Sequence, residues 1–262
     1  MPSFPSSNQV QTHVPTTSKA YTLLRTLLIG SRPINELASA EWQDLLRFRL
    51  GLPIMTPGPC AACARPREGF GDHALSCASC GRYARHNALR EVLADELRKA
   101  GFLVTSEEQV PLTEPPDRPP GPSPSLPAFR PADLLVHSFK AGKPLAIDVT
   151  VTHPLRTSCA ALASGLSPSV DASRAESAKV EKYSEACSRA GWLFMPFALE
   201  TTGGWGPKAR RLIQILASAQ ASRLGSPVTM ICKNICGRLR AAVVGMCAAS
   251  FGRCTTTVLP SC

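Results

Sequence analysis

Large aliphatic residues alternate with small or polar residues from residue 145 to residue 152. A period of two places Leu145, Ile147 and the following valines on one face of a strand. Asp148 therefore falls on the opposite face, among small residues. An earlier apolar run, Leu134–Val136, begins directly after Asp133 and predicts a second strand. Each strand delivers one carboxylate, and the two carboxylates can meet at one end of a sheet.

Apolar residues at spacings of three and four predict helices elsewhere. The clearest helix extends from Arg85 to Ala100, where its apolar stripe ends before Gly101, a favourable helix stop. Further helices are predicted over 19–29, 34–50, 173–186, 208–224 and 228–250, and further strands over 102–110 and 192–199. This succession of helices and strands predicts an α/β protein.

The helix predicted after residue 170 begins with a capping-box pattern, Ser173 followed by Glu176. Within it, Lys179 and Lys182 share a stripe with Tyr183 and several alanines, at spacings of three and four. A stripe of small residues is suited to packing on a sheet. An ordinary solvated basic face would instead place its lysines opposite the alanines. We therefore expect one of the two lysines to point toward Asp148.

Composition divides the chain into five parts. Residues 1–17 are polar and rich in proline and serine, which predicts disorder. They are followed by a helical preface (18–57), a metal-binding module (58–84), an α/β core (85–225) and a C-terminal helical extension (226–262). A proline-rich insertion, residues 111–131, interrupts the core, although the same composition would also suit a domain linker.

Cysteine spacing in the second part is that of a zinc site. Cys60 and Cys63 form a CxxC pair, and His73, Cys77 and Cys80 follow. Either His73 with Cys77, or Cys77 with Cys80, would complete a tetrahedral shell. A shell of four protein ligands has no open position, so the metal would stabilise the fold and take no part in catalysis. The later cysteines lack a paired-ligand pattern and are expected to be buried thiols: Cys232, Cys236 and Cys247.

Charge and cysteine content restrict the class of protein. The 262-residue chain carries 29 Lys and Arg against 19 Asp and Glu, and its net charge of +10 favours a polyanionic partner. The N-terminus lacks a secretion pattern. The longest uncharged apolar stretch near the C-terminus, residues 241–252, is too short to cross a bilayer. Eleven cysteines without an export signal favour thiols and metal ligands. We expect a nuclear or cytoplasmic protein that is neither secreted nor bound to a membrane.

The acidic pair suggests metal chemistry. Two convergent carboxylates beside small residues suit a hard divalent cation such as Mg²⁺. The alternative is that Asp133 and Asp148 merely cap or turn their strands, a common use of aspartate. The pair of acids, together with the lysines that follow, favours the functional interpretation.

Taken in order, these features resemble the PD-(D/E)XK nuclease superfamily. Over residues 42–224 the chain more narrowly resembles the restriction-like endonuclease region of site-specific non-LTR retrotransposons. The resemblance rests on Leu50–Pro53, the Cys60/Cys63/His73/Cys77 set, Gly71–Cys77, Arg85–Asn87, Pro131–Asp133, Asp148–Thr150 and Lys179–Tyr183. It implies a restriction-endonuclease-like core, with a mixed central sheet flanked by helices, preceded by a helical and zinc-knuckle module.

The resemblance also implies roles for particular residues. A Cys-Cys-His-Cys ligand set favours His73 over Cys80. Asp133 and Asp148 would hold Mg²⁺, with the Val149 carbonyl as a further ligand. A helix lysine, Lys182 slightly ahead of Lys179 because it directly precedes Tyr183, would assist hydrolysis, and Tyr183 would position a partner. Residues implied to contact nucleic acid are Arg82, Arg85, His86, Asn87 and Arg90.

The chain departs from the family pattern at two positions. Ala132 separates Pro131 from Asp133, where the family has proline directly before the acid. Thr150 stands where the superfamily has its lysine, although in the retrotransposon branch the lysine comes from the following helix, which suits Lys179 or Lys182.

The expected function is a metal-dependent endonuclease that hydrolyses phosphodiester bonds in DNA. A catalytically silent, zinc-dependent nucleic-acid-binding module is the alternative, and a fragment that does not fold alone is a third. The expected partner is DNA or the RNA of the element. The sequence shows no reverse-transcriptase signature, so we expect the polymerase of such an element to lie outside this chain.

Overall fold

A computed structural model of the chain describes residues 39–106, 132–154 and 169–255. The helices are α1 (Ser39–Arg49), α2 (Asp72–Ser76), α3 (Tyr83–Lys99), α4 (Val170–Arg189), α5 (Pro207–Leu224) and α6 (Val228–Thr255). The strands are β1 (Gly58–Pro59), β2 (Pro66–Arg67), β3 (Val104–Ser106), β4 (Leu134–Lys140), β5 (Lys143–Thr152) and β6 (Leu193–Glu200). The predicted disorder at 1–17, the helix at 19–29 and the proline-rich segment 111–131 lie outside the described residues.

Four strands form one mixed sheet in the order β3-β4-β5-β6. The first three are antiparallel neighbours, and β5 runs parallel to β6. A parallel pair needs a crossover connection, and α4 lies in that connection. The structure thus confirms a mixed α/β fold.

The alternation along β5 separates the two faces of the sheet. Leu145, Ile147 and Val149 belong to the main hydrophobic core, together with buried residues of α3, α5 and α6. Ala146 belongs to a small cluster on the other face, with Cys187 of α4. Asp148, in phase with Ala146, therefore lies on the face that α4 covers.

Helix α4 begins at Val170, three residues before the predicted cap, and the predicted capping box does not form. The Ser173 amide donates to the Ser169 carbonyl at 3.0 Å, as within a continuing helix. The Glu176 carboxylate accepts hydrogen bonds from the Lys208 amide (2.7 Å) and from the amides of Ala198 and Ala209. Glu176 therefore caps the start of α5 instead of the start of its own helix.

A second buried carboxylate fixes the start of α4. Glu200, at the end of β6, accepts hydrogen bonds from the amides of Asp171 (3.1 Å) and Ala172 (3.2 Å). Negative charge is favourable there, because the first amides of a helix have no partner within it. The start and the middle of α4 are thus both held against β6 and α5, and this orients the helix face that carries Lys179.

Helix α6 is long and apolar enough to cross a membrane, judged by length and composition alone. Half of its most apolar 18-residue stretch is buried inside the protein. The helix packs against α1, α2, α3 and α5, as a core helix does. Its buried side chains include Ile235, Leu239 and Phe251. The uncharged stretch 241–252 lies in the C-terminal half of this helix.

His153 connects the segment that contains the predicted metal ligands to the sheet. Its Nε2 lies 2.9 Å from Asp72 Oδ1, and its Nδ1 lies 2.7 Å from Thr201 Oγ1. His153 and Thr201 are both buried, and each follows the end of a strand. This chain of hydrogen bonds holds the start of α2 against the ends of β5 and β6.

Candidate functional site

The two acidic residues lie on neighbouring strands. Leu134 pairs with Ile147, so Asp133 and Asp148 lie one residue beyond that pair. The Asp133 amide donates to the Ile147 carbonyl at 3.0 Å, and Asp133 Oδ2 accepts a hydrogen bond from the Val149 amide at 2.7 Å. The Asp133 carboxylate is therefore fixed on the backbone next to Asp148.

Lys179 of α4 contacts the second acid. Its Nζ lies 2.9 Å from Oδ1 and 2.9 Å from Oδ2 of Asp148. The Asp148 side chain is 9% exposed, whereas that of Lys179 is 32% exposed. Thr150 Oγ1 donates a longer hydrogen bond of 3.3 Å to the same carboxylate. An acid, a second acid and a cation thus meet at one end of the β4–β5 pair.

Burial raises the pKa of the Asp148 carboxyl above its ordinary value. The ion pair with Lys179 opposes this rise, and the negative charge of Asp133 adds to it. Two carboxylates in a poorly hydrated position repel each other, so a bound cation would stabilise both charged forms. This electrostatic arrangement suits a cation site.

Lys182 does not share the position of Lys179. It is exposed, and its Nζ lies 4.9 Å from the centre of the Tyr183 ring. Tyr183 packs edge-on against Phe194 of β6, with ring centres 5.8 Å apart. Of the two lysines, Lys179 is therefore the one that projects toward Asp148, and the structure does not bring the slightly preferred Lys182 to the acids.

His86 reaches the acidic pair from α3. Its Nε2 lies 3.3 Å from Asp133 Oδ1. Its neighbour Asn87 is exposed, and so is Arg82 at the start of the helix. Arg90 is only partly exposed, and its guanidinium contacts the Glu91 carboxylate at 2.9 Å. The exposed residues Arg82 and Asn87 remain available to a polyanion.

Arg85 is buried, with 1% of its surface exposed, and it cannot contact a phosphate backbone. Its guanidinium donates to the Leu75 carbonyl and to Ser250 Oγ, and burial lowers its pKa. The prediction that Arg85 contacts nucleic acid was therefore wrong. Arg85 precedes Leu89 by four residues and shares its apolar stripe, which was the available sequence signal.

Four predicted metal ligands come together. The ligand atoms of Cys60, Cys63, His73 and Cys77 lie within 4.8 Å of one another. The turn between β1 and β2 delivers the first two, α2 delivers His73, and Cys77 directly follows the end of α2. This cluster could hold a metal ion such as zinc, and it includes His73.

The surroundings of Cys60 favour its thiolate form, which is the form that binds metal. Burial alone would raise the pKa of the Cys60 thiol, but hydrogen bonds from the backbone at Ala62 and from Cys80 help to lower it to about 6. A lowered pKa favours the thiolate.

Sequence reasoning missed Cys254, near the end of α6. Its Sγ lies 3.6 Å from Cys60 Sγ, and its carbonyl accepts a hydrogen bond of 3.0 Å from the Ala61 amide. Cys80 Sγ lies 3.4 Å from the same Cys60 Sγ. Nothing in the sequence spacing links residue 254 to residue 60; only the packing of α6 brings them together.

Two surface grooves carry basic side chains. One is lined by residues of α5: Pro207, Arg210, Arg211, Gln214, Ile215 and Ser218. The other lies where α3, α5 and α6 meet: Lys99, Gln220, Arg223, Leu224, Ile231, Asn234 and Arg238. The α5 groove offers Arg210 and Arg211 to a polyanionic ligand, whereas Lys99 and Arg238 of the other groove pair with Glu96.

No protein-family model matches this chain, and a search of curated proteins finds no match. The acidic pair with its lysine, the cysteine–histidine cluster and the basic surface are therefore the features from which we infer function.

Proposed function

We propose that this chain is a metal-dependent DNA endonuclease of the restriction-like type that accompanies site-specific non-LTR retrotransposons. One observation carries the proposal: Lys179 contacts Asp148 at 2.9 Å, beside Asp133 on the neighbouring strand. The fold is compatible with it, since a mixed four-stranded sheet with a helix between its parallel strands could form a PD-(D/E)XK core. Such an enzyme would act in the nucleus or cytoplasm, with a separate reverse transcriptase.

The donors at the acidic pair suit Mg²⁺. Carboxylate and backbone oxygens are the ligands that hard divalent cations prefer. Asp133, Asp148 and the Val149 carbonyl would hold the ion. The chemistry that bound Mg²⁺ supplies is charge neutralisation at the phosphate and a lowered pKa of bound water.

The side chains around the acids have separate roles in this proposal. The Lys179 ammonium, a compact charge with rotatable donors, would orient the attacking water and stabilise the charge that develops on the phosphate. His86 would hold the Asp133 carboxylate in position through its Nε2. Tyr183 would limit the movement of Lys179, since the Lys179 Nζ lies 5.3 Å from the centre of its ring.

The cysteine–histidine cluster would hold a structural zinc ion. Four protein ligands would close its coordination shell, so the metal would stabilise the module. The hydrogen bond between Asp72 and His153 would then hold the zinc-stabilised module against the sheet.

Nicking of supercoiled plasmid DNA by purified protein in Mg²⁺ tests the proposal. We expect nicking by the wild type, loss of nicking in Asp148→Ala, and wild-type nicking in Asp95→Ala, which removes an exposed carboxylate of α3. Wild-type protein that binds DNA without cutting it, or equal activity of Asp148→Ala and the wild type, would contradict the proposal.

A second candidate is a catalytically silent, zinc-dependent nucleic-acid-binding module. The hydrogen bonding at the acids favours it, because Lys179 already pairs with Asp148 while Val149 and His86 already contact Asp133. The basic α5 groove would serve this function as well as it would serve an endonuclease. Salt-sensitive DNA binding without Mg²⁺-dependent nicking would select this candidate.

A further inference from the structure

Two groups of soft ligand atoms share one thiol. The first group is Cys60, Cys63, His73 and Cys77, and the second is Cys60, Cys80 and Cys254. Within each group, all ligand atoms lie within 4.8 Å of one another. One tetrahedral ion takes four of these six side chains, which leaves Cys80 and Cys254 outside its shell.

The second group has the spacing of thiolates around one metal ion. Zinc–sulfur bonds of about 2.3 Å place neighbouring sulfurs of a tetrahedral shell roughly 3.8 Å apart. Cys80 Sγ and Cys254 Sγ lie 3.4 Å and 3.6 Å from Cys60 Sγ. These three sulfur atoms could occupy three of the four corners of one tetrahedral coordination shell.

The three thiols lie in a buried and rigid place. Cys60 is 2% exposed, and Cys80 and Cys254 are 0% exposed. The Cys254 carbonyl accepts hydrogen bonds from the Ala61 amide and from the Arg67 guanidinium, which fixes the end of α6 on the metal-binding turn. A preorganised site of this kind loses little freedom when it binds an ion.

Nearby cations would compensate the charge of additional thiolates. Arg67 is such a cation, since its guanidinium donates a hydrogen bond to the Cys254 carbonyl. Five thiolates, one neutral histidine and two Zn²⁺ ions carry a net charge of −1, the same as three thiolates, one histidine and a single Zn²⁺. The second ion therefore adds no net charge to the buried cluster.

We propose that Cys60, Cys80 and Cys254 form a second site for a thiophilic metal ion, zinc in the first instance, with Cys60 bridging two ions. Three thiolates leave the fourth position of the second tetrahedral shell to a water molecule or a further ligand. The second ion would join α6 to the module that carries the first.

Metal content of the purified full-length chain, measured by native mass spectrometry in a phosphine reductant, tests the site without DNA or activity. We expect two zinc ions per chain in the wild type and one in the double variant Cys80→Ser with Cys254→Ser. The matched control is Cys187→Ser with Cys247→Ser, which removes two buried thiols outside both groups and should keep two ions.

One zinc ion per wild-type chain would overturn the second site, and so would two ions in the Cys80/Cys254 double variant. Cadmium-113 spectra of the wild type provide a measurement that needs no variant. Two resonances in the range of sulfur-rich sites support the proposal, and a single one overturns it. Because neither readout involves nucleic acid, failure of this inference and failure of the proposed nuclease function are distinguishable.

Discussion

The Lys179 ammonium lies 2.9 Å from each carboxylate oxygen of Asp148. Lys182, three residues later, is exposed; both lysines lie near the ring of Tyr183. The two lysines therefore form a matched pair: each carries the same charge on the same helix, but only one touches the acids.

If the chain cleaves DNA, Lys179→Met should lower the rate of nicking by roughly two to four orders of magnitude, the usual scale for losing a catalytic group. Lys182→Met should stay near the wild-type rate. DNA affinity should barely change in either variant, because each removes at most one phosphate contact among several. Single-turnover nicking combined with filter binding separates the two effects. Equal losses in both variants would show that the contact with Asp148 has no catalytic role.

Asp148→Asn should stabilise the fold at neutral pH. Burial raises the pKa of the wild-type carboxyl above 3.8, so folding favours its protonated form. That contribution is complete below pH 3.8 and is lost as the pH rises through the folded-state pKa. The amide does not titrate, and the variant should therefore gain stability relative to the wild type as the pH rises. Thermal midpoints measured from pH 4 to pH 8 test this, and an advantage that shrinks with pH would contradict it.

The sequence pattern identified the elements better than it identified their partners. Alternation in β5 and the apolar stripe of α3 predict those elements correctly, because burial of one face has a fixed period in strands and helices. The Ser173/Glu176 pattern failed, since a carboxylate that fits a capping box also fits the start of α5, and only tertiary packing decides between them. Cys254 was missed for the same reason, because its partner lies 194 residues away.

Within the candidate site, the sequence spacing identified two lysines that could contact Asp148, and tertiary packing decides which of them does. Periodicity placed Lys179 and Lys182 on one broad stripe, but it could not show which of them faces the sheet. The orientation of α4 depends on Glu176 and Glu200. Their carboxylates accept hydrogen bonds from backbone amides that are distant in sequence. A charged residue on an apolar stripe, such as Arg85, is the kind of signal that a purely functional interpretation overlooks.

Arg85→Met should destabilise the protein and leave DNA binding unchanged in the molecules that remain folded. The substitution leaves the Leu75 carbonyl without its guanidinium donor, and a buried group without its partner costs about 1–3 kcal/mol. Arg82→Met, which removes an exposed guanidinium, should change stability by less than about 0.5 kcal/mol. Urea denaturation of both variants measures the difference. A stable Arg85 variant with weakened DNA binding would instead indicate that Arg85 contacts nucleic acid.

Removal of metal should unfold the cysteine–histidine module. Metal affinity at such sites is folding free energy, so a strong chelator or Cys63→Ser should lower the thermal midpoint and expose the buried residues of α2. Cys187→Ser, which alters a buried thiol on α4, provides a control for the loss of a thiol alone. Hydrogen exchange over residues 58–82 reports the local effect. Complete loss of metal with unchanged protection there would contradict a structural role.

DNA binding should depend steeply on salt, because the net charge of +10 favours contacts with phosphates. Each phosphate contact contributes about 0.9 to the slope of log affinity against log salt, so removal of both Arg210 and Arg211 from the α5 groove should reduce the slope by about 2. Removal of Arg174 and Arg189, which pair with acids on α4, changes the net charge equally and should leave the slope nearly unchanged. Fluorescence anisotropy from 50 to 300 mM salt measures both slopes. Equal slopes for the two double variants would exclude the α5 groove as the DNA-binding surface, and a flat dependence in the wild type would exclude electrostatic binding altogether.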